Sequence, residues 1–530
     1  MTHNTPAPLR DPLADRVLFE SDSVIVIDKP SGLAVDAPER PDDLARMLRR
    51  RRALLGASAY VGVVHRLERD ASGPCVFTLD RSANARVSSP LERRAARRTI
   101  VAAVRKGPSD AALARTFGAP VKTLSKGPEG SLVELDPKAE KLASLTERAA
   151  SVLLAPLHLG SLEVQVTAER STVIRAEIPA ALYDAIDRRA AFALDHRALV
   201  RRMRAGLWRR GLVLADGSTD LCRLVNEGGD ALAGLAVDRY GDRAVAHVYE
   251  SAASLDADTQ NQLWAAVAEA FDLRAVYAKF RPKQANTLVE TRRDDVAPSK
   301  PVWGARDDDE PQGRFVLREQ GVRYVTRLGD GLSTGIFLDQ RENRAWVRER
   351  ARGRSLLNLF AYTGAFSVAA AVGGASRSLS VDASRGAISW LREHLAENQD
   401  TVADRAAHEG ACVEVFGWLE GAKARRDAFD MIVCDPPSYS FAKDGPRWSS
   451  ERDWPELAAR VLALSAKGGL ALFCSNHRGI SPAKFEAMLR EGASRAKVTL
   501  AEVSHASVSD DFVPAPGAYA HLKSLRVTVR

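Results

Sequence analysis

The chain has 530 residues, a formal net charge of +8, and 45% hydrophobic against 27% charged residues. This is ordinary globular composition, with material for three to four domains. No apolar run approaches the roughly 20 residues that span a bilayer, and the opening MTHNTPAPLRDPLADR lacks the apolar core of a signal peptide, so no membrane association is expected and the cytoplasm is the expected location. Five dispersed cysteines (Cys75, Cys222, Cys412, Cys434, Cys474) with no CxxC pair suggest neither a disulfide framework nor a metal site.

In chain order, residues 16–28 alternate as strands do and run into the turn KPSGL. DDLARMLRRRRALL follows as a helix, and 61–79 reads as strand, loop, strand. Residues 105–140 are rich in Gly, Pro, Lys and Ser and read as a loop. Residues 159–178 alternate as a β-hairpin, completing an α+β domain over 1–195. A basic helical connector (196–212) leads into short strands to Tyr249, a helix at 258–271, the strand RAVYAKF, a polar loop at 296–313 and a closing hairpin. That is a small α+β middle domain over 196–330. Over 331–530, apolar strands alternate with amphipathic helices: SLLNLFAY, AFSVAAAVG, SRSLSVD, SRGAISWLREHLAENQ, FDMIVCD, WPELAARVLALSA, GLALFCS, PAKFEAMLREGAS and two last strands. This pattern predicts an α/β, Rossmann-like, doubly wound sheet.

Arginines cluster at Arg49 to Arg52, at Arg93, Arg94, Arg97 and Arg98, and at Arg201, Arg202, Arg204, Arg209 and Arg210. Guanidinium forks suit phosphates, so three such clusters point to a nucleic-acid partner.

In a doubly wound sheet the ligand lies at the carboxyl ends of the strands. After the first strand stand Asn358, Phe360, Tyr362, Thr363, Gly364 and Phe366, with Gly364 letting the backbone turn closely past a ligand. Asp382 ends the second strand, 18 residues beyond Gly364, where a carboxylate can accept from a ribose diol. Glu414 follows the third strand, placed to accept from an adenine amino group. DPPSYS (Asp435 to Ser440) follows the fourth. Its prolines fix the backbone and remove two amide donors, leaving carbonyls and the Asp435 carboxylate to face a substrate amine or base.

These residues and their order resemble the RlmI/RlmK class of ribosomal RNA large-subunit methyltransferases. The resemblance runs through RLVNEGGDALAGLAVDRYGD (223–242), LSTGIFLDQRENR (332–344), LLNLFAYTGAFSVAAAVGGA (356–375), VDAS (381–384) and CDPPSYS (434–440). It implies S-adenosylmethionine as cofactor and RNA as partner. It implies Asp382 at the ribose, Glu414 (usually aspartate in the family) at the adenine, and Asp435 with Pro436 at the target base. It also implies Phe337, Asp339, Gln340 and Arg341 towards the cofactor pocket. Two chemistries stay open. Cytosine C5 needs a thiolate to add to the ring, for which Cys474 in FCSNHRGI is the candidate. Guanine N7 carries its own lone pair and needs only positioning and electrostatics. Tyr439, His477 and Arg478 are expected on the substrate.

Residues 17–195 resemble the RluA-type pseudouridine synthases through VIVIDKPSGLAV (24–35), HRLERDASG (65–73) and ERSTVIRAE (169–177). Three departures stand at the centre. Glu68 replaces the family's catalytic aspartate, its extra methylene moving the carboxylate by about 1.5 Å, where about 1 Å can cost 100-fold. Ile100 takes the place of the tyrosine. Thr172 and Val173 replace the His-Gln pair, while Arg66 and Arg175 remain. The expectation is a degenerate synthase unit that grips RNA. The rival readings are a bifunctional methyltransferase and pseudouridine synthase, a non-catalytic RNA-binding or ribosome assembly factor, and a methyltransferase acting on protein or a small molecule.

Overall fold

The computed structural model describes residues 13, 16–37, 43–54, 56–58, 60–92, 96–136, 142–179, 182–183, 196–204, 206–230, 232–249, 255–281, 293–305, 313–425, 427–440, 448–514 and 520–530. The chain forms two compact units, Met1–Trp208 and Arg209–Arg530.

The first unit is α+β with two antiparallel sheets. The strand Val24–Lys29 is buried along its first four residues and is flanked by Val17–Glu20 and Gly73–Thr78, with Gly62–Val63 at the far edge. The second sheet runs Val121–Lys126, Gly130–Leu135, Arg98–Arg105, His158–Gln165, Ser171–Arg175. Its central strand contributes Ile100, Ala102 and Val104 to a core shared with Val24, Val26, Val76 and Phe77 of the first sheet. The expected loop over 105–140 is overturned. It holds a helix, Asp110–Phe117, capped by the Ser109 side chain at its start and by left-handed Gly118 at its end, and then a hairpin paired into the sheet. The strand VKTLSK alternates half-buried and exposed residues, so a one-sided amphipathic strand underlay its polar composition.

The second unit opens with a five-stranded sheet in the order Leu221–Asn226, Leu235–Tyr240, Arg243–Val248, Ala275–Phe280, Trp303–Gly304. Its one parallel pair, Arg243–Val248 with Ala275–Phe280, is crossed by the helix Ala257–Phe271. The expected closing hairpin is Arg314–Glu319 with Val322–Arg327.

Seven strands follow: β1 (Ser355–Leu359), β2 (Arg377–Asp382), β3 (His408–Cys412), β4 (Phe429–Cys434), β5 (Ser465–Ser475), β6 (Leu500–Ala506) and β7 (Lys523–Val529). They form one sheet in the order β3-β2-β1-β4-β5-β7-β6, parallel except for β7, which is antiparallel to both its neighbours. The helices are α1 (Arg341–Arg350), α2 (Ala365–Val372), α3 (Arg385–Glu397), α4 (Val415–Arg425), α5 (Ser450–Leu462) and α6 (Pro482–Ala496). β1 is buried along its whole length, as a strand covered on both faces must be. The strand order reverses between β1 and β4, so the crevice at their carboxyl ends is where the fold offers a ligand site. The two parts of this unit share a core: Leu221, Tyr240 and Tyr324 pack with Ile336, Val368 and Leu391.

Candidate cofactor and base site

β1 runs into a turn that few residues tolerate. Phe360 and Tyr362 are left-handed without being glycine (φ 55° and 49°), and Gly364 follows at φ 74°. Each non-glycine residue there costs about 1–3 kcal/mol, and such strain gathers at ligand sites when the surroundings over-determine it. The surroundings do so here. Tyr362 N donates to Asp382 Oδ2 (2.8 Å), Ala361 N to Val381 O (3.1 Å), Thr363 Oγ1 to Gly335 O (2.6 Å) and His394 Nδ1 contacts Thr363 O (3.1 Å). Gly364 is required twice over, since a Cβ would also lie 2.4 Å from Leu391 Cδ1.

A small cleft, open to solvent, lies at this turn. It is lined by Phe337, Gln340, Asn358, Phe360, Tyr362 and Asp435, among others. Phe337 is 52% exposed, with its ring centroid 5.3 Å from that of Tyr362. A large aromatic left bare at the mouth of a cleft is a ligand contact in waiting. Asp382 stands half-buried at the end of β2, its oxygens accepting from Tyr362 N and Ser384 N with a further lone pair on each. Aromatic faces, a carboxylate and strained backbone at the switch point fit an adenosine-bearing cofactor.

Behind the cleft lies a chain of buried amides and hydroxyls. Asn343 Nδ2 donates to Gln340 Oε1 (2.6 Å) and Ser524 Oγ (2.8 Å), and Cys474 Sγ donates to Gln340 Oε1 (3.7 Å). With its oxygen so occupied, Gln340 turns its Nε2 to Asp435 Oδ2 (2.8 Å). Burial, with the Asp339 charge adding to it, pushes the Asp435 carboxyl up to about 7, against the Gln340 hydrogen bond that favours the anion. Asp339 itself is held below the usual carboxylate range: its hydrogen bond from His521 Nε2 (2.8 Å), with the nearby cations, outweighs burial.

Several expectations need correction. Arg341 does not line the cleft. Its guanidinium, 2% exposed, is committed to Asp511 (3.0 Å) and Leu221 O, because Asp511 is a buried carboxylate that needs a cation. Arg344, one turn along α1, lines the cleft instead, braced bidentately by Glu319 (2.7 Å to each oxygen). Glu414 is exposed, and both its oxygens cap the start of α4, accepting from Phe416 N (3.1 Å) and Gly417 N (2.8 Å). Its longer side chain thus folds back onto its own backbone. The Pro437 carbonyl is occupied by Trp448 Nε1 (2.8 Å) and Ser450 Oγ, so it is not offered to a base. Cys474 is fully buried, its thiol pushed well above its ordinary value by burial and by the Asp435 charge, so a thiolate is disfavoured there. Cys434 is likewise fully buried.

On the substrate side, Ser438 Oγ donates to Asn476 Oδ1 (2.6 Å), tying the Asp-Pro-Pro loop to the exit of β5. His477 Nδ1 accepts from Gly479 N (3.1 Å), and Arg478, 80% exposed, lies 3.9 Å from Glu227. The Tyr439 side chain lies outside the described residues. Sequence reasoning missed Arg344, which only three-dimensional register separates from Arg341. It also missed Asn343, whose role depends on Ser524, 181 residues away.

The basic clusters divide. Arg93, Arg94 and the side chains of Arg50 and Arg209 lie outside the described residues. Arg51 pairs with Glu20 (3.3 Å) and Arg52 bonds Ser58 O. Arg202 is buried, and Arg210 is wholly so, gripping Asp230 bidentately at 2.7 and 2.6 Å. Arg202 and Arg210 are therefore structural and offer nothing to a phosphate.

In the first unit, Lys29 is fully buried and its Nζ donates to the carbonyls of Pro30 (3.0 Å), Arg69 (2.9 Å) and Ala71 (2.5 Å), fastening the 65–73 loop. That loop presents Glu68 and Asp70 to solvent, and Arg66 reaches Asp36 at 3.2 Å. Arg175 is exposed at the end of the strand Ser171–Arg175, and Ile100 is buried carbon.

Residues 279–525 match the S-adenosylmethionine-dependent methyltransferase family, and residues 23–154 match the RNA pseudouridylate synthase family. A ribosomal RNA large subunit methyltransferase of Deinococcus radiodurans is 32% identical over 306 residues, 57% of this chain and 72% of that protein. The putative ribosomal RNA large subunit methyltransferase YwbD of Bacillus subtilis is 28% identical over 326 residues, 60% of this chain and 76% of its own length. The solved structure of a putative methyltransferase complexed with SAH shares the fold, at a TM-score of 0.55 and 24% identity over 70% of this chain and 89% of that one. Among the described residues no helix is long and apolar enough to cross a membrane, and no cluster of side chains could hold a metal ion. The chain belongs to the S-adenosylmethionine-dependent ribosomal RNA large subunit methyltransferases, and a pseudouridine-synthase-like unit precedes its methyltransferase part.

Proposed function

We propose that this enzyme methylates a guanine in large-subunit ribosomal RNA, at N7, in the cytoplasm. The division of labour follows the three parts 1–195, 196–330 and 331–530: the synthase-like part grips RNA without isomerising it, the middle part shapes the substrate cleft, and the last carries out the transfer. The observation that carries the choice of atom is the burial of Cys474 in the polar chain behind Asp435. Methylation at cytosine C5 requires a thiolate poised to add to the ring. Cys474 instead donates its hydrogen to Gln340 and exchanges hydrogen bonding with Ser524.

When bound, S-adenosylmethionine supplies an electrophilic methyl group on a sulfonium. Phe337 and Tyr362 offer the faces against which it is held, and Asp382 accepts from ribose hydroxyls. Asp435, aimed by Gln340, accepts from the N–H groups on the Watson–Crick edge of the guanine and offsets the positive charge that N7 gains on methylation. The Pro436 carbonyl adds a second acceptor. No proton has to leave N7, so orientation and a placed negative charge suffice.

The test is methyl transfer from isotopically labelled S-adenosylmethionine to large-subunit ribosomal RNA from cells lacking this gene, read by nucleoside mass spectrometry. Labelled 7-methylguanosine is expected. Labelled 5-methylcytidine would return Cys474 to the centre, and no labelled nucleoside, with the cofactor shown to bind, would remove RNA methylation altogether.

A further inference from the structure

Lys523 opens β7 at the substrate end of the sheet, next to the strand that ends at Ser475. It is 5% exposed, a position where a cation is rarely left without a counter-charge. Its Nζ donates to His477 O (2.7 Å) and His521 O (2.7 Å). An ammonium has three protons, so one donor remains without a partner among the described residues. Among the described residues Lys523 makes no ion pair. The neighbouring charges are engaged elsewhere: His521 is on Asp339, and Arg478 faces Glu227. Burial accordingly pulls the amine down to about 8, with no acidic group opposing it.

We infer that Lys523 is a phosphate-binding residue for the RNA substrate, its third N–H and uncompensated charge awaiting a backbone phosphate of the strand that carries the target base. The His477 carbonyl it holds ties the 476–479 turn to the start of β7, and that turn is tied through Asn476 to Ser438 of the Asp-Pro-Pro loop. A phosphate on Lys523 therefore registers the RNA against Asp435. The exposed Arg478 flanks the same turn as a second contact. Lys523 stands at the carboxyl end of β5 and the amino end of β7, whereas the adenosine-side residues Asp382 and Tyr362 lie at the carboxyl ends of β2 and β1. That separation favours an RNA phosphate over the cofactor's own carboxylate as the anion. The inference rests on the RNA-methylation reading above.

The test uses the full chain, Lys523→Gln and Lys523→Arg. Glutamine can still donate to the two carbonyls but carries no charge; arginine keeps the charge. Affinity for large-subunit ribosomal RNA is measured against salt concentration, and SAH binding by calorimetry. For Lys523→Gln the expected outcome is RNA affinity reduced about tenfold, a salt slope smaller by about one, and unchanged SAH binding. Wild-type affinity should also fall as pH rises through 8, and that fall should be absent in Lys523→Arg, whose guanidinium stays charged. An unchanged salt slope in Lys523→Gln, or a loss confined to SAH binding, would overturn the assignment. These binding measurements need no turnover, so failure of the methylation assay and failure of this inference are read separately.

Discussion

Replacing Asp435 by asparagine should stabilise the fold while removing activity. The folded carboxyl sits at about 7 against an ordinary 3.8, a rise of about three units. At about 1.4 kcal/mol per unit the ceiling is about 4 kcal/mol, and because Asp435 is only half-buried at the cleft, about 2 kcal/mol is the fairer expectation. The sign follows from proton counting. Below pH 4 both folded and unfolded states hold the proton and the substitution changes nothing. Between pH 4 and 7 the unfolded chain releases its proton while the folded one keeps it, so wild-type stability falls with rising pH; above 7 the penalty is constant. The advantage of Asp435→Asn should therefore grow from near zero at pH 4 to about 2 kcal/mol at pH 7 and then level off. Urea unfolding followed by tryptophan fluorescence reads this cleanly, because all eight tryptophans lie at or beyond Trp208 and seven belong to the second unit. Single-turnover methylation should fall about 10²–10³-fold, the usual effect of removing one placed electrostatic group. A pH-independent difference between the two proteins would refute the account of Asp435, and so would full activity in the variant.

Cys474→Ser should keep methyl transfer within about threefold, since serine can donate into the same network; a loss of a thousandfold would make the thiol a nucleophile after all. Gly364→Ala meets both a left-handed φ and the Leu391 side chain, and should lose about 1–2 kcal/mol of stability and at least tenfold in SAH affinity by calorimetry; unchanged SAH binding would detach the turn from the cofactor. Arg210→Met strands Asp230 in the interior and should lower the urea stability by about 3–5 kcal/mol, with a loss under 1 kcal/mol contradicting the buried pair. Wild-type protein and Glu68→Ala should be alike in producing no pseudouridine by nucleoside mass spectrometry, and pseudouridine made by the first and lost in the second would establish a bifunctional enzyme.

The doubly wound sheet was legible because its central strands, SLLNL and FDMIVC, are largely apolar runs and its helices carry one apolar face. Residues 105–140 misled for a physical reason. Val121–Lys126 is an edge strand whose outward positions include Lys122 and Lys126, and edges carry lysine to discourage pairing with other chains. Composition registered the lysines and not the alternation. The shared core of the middle and Rossmann-like parts was invisible for a different reason. Tyr240 donates or accepts across 94 residues to Thr334, and no local pattern encodes such a contact.

At the site, strand ends marked Gly364, Asp382 and Asp435 because topology alone puts them on the crevice. Side-chain partners were another matter. Arg341 and Arg344 lie on the same helix, and only the positions of Asp511 and Glu319 decide which guanidinium supports the fold's interior and which reaches the cleft. Basic clusters fared the same way, since Arg210 reads as a phosphate contact until Asp230 is found opposite it. The first unit gives the converse lesson. Lys29 fastens the 65–73 loop through the carbonyls of Arg69 and Ala71 and holds Pro30 O besides, a rigid frame that a carboxylate nucleophile would need. The frame carries Glu68 where the resemblance expects an aspartate one methylene shorter, and Ile100, which the resemblance sets in a tyrosine's place, is buried. Under the proposed reading, this loop and the exposed guanidiniums of Arg66 and Arg175 serve RNA binding.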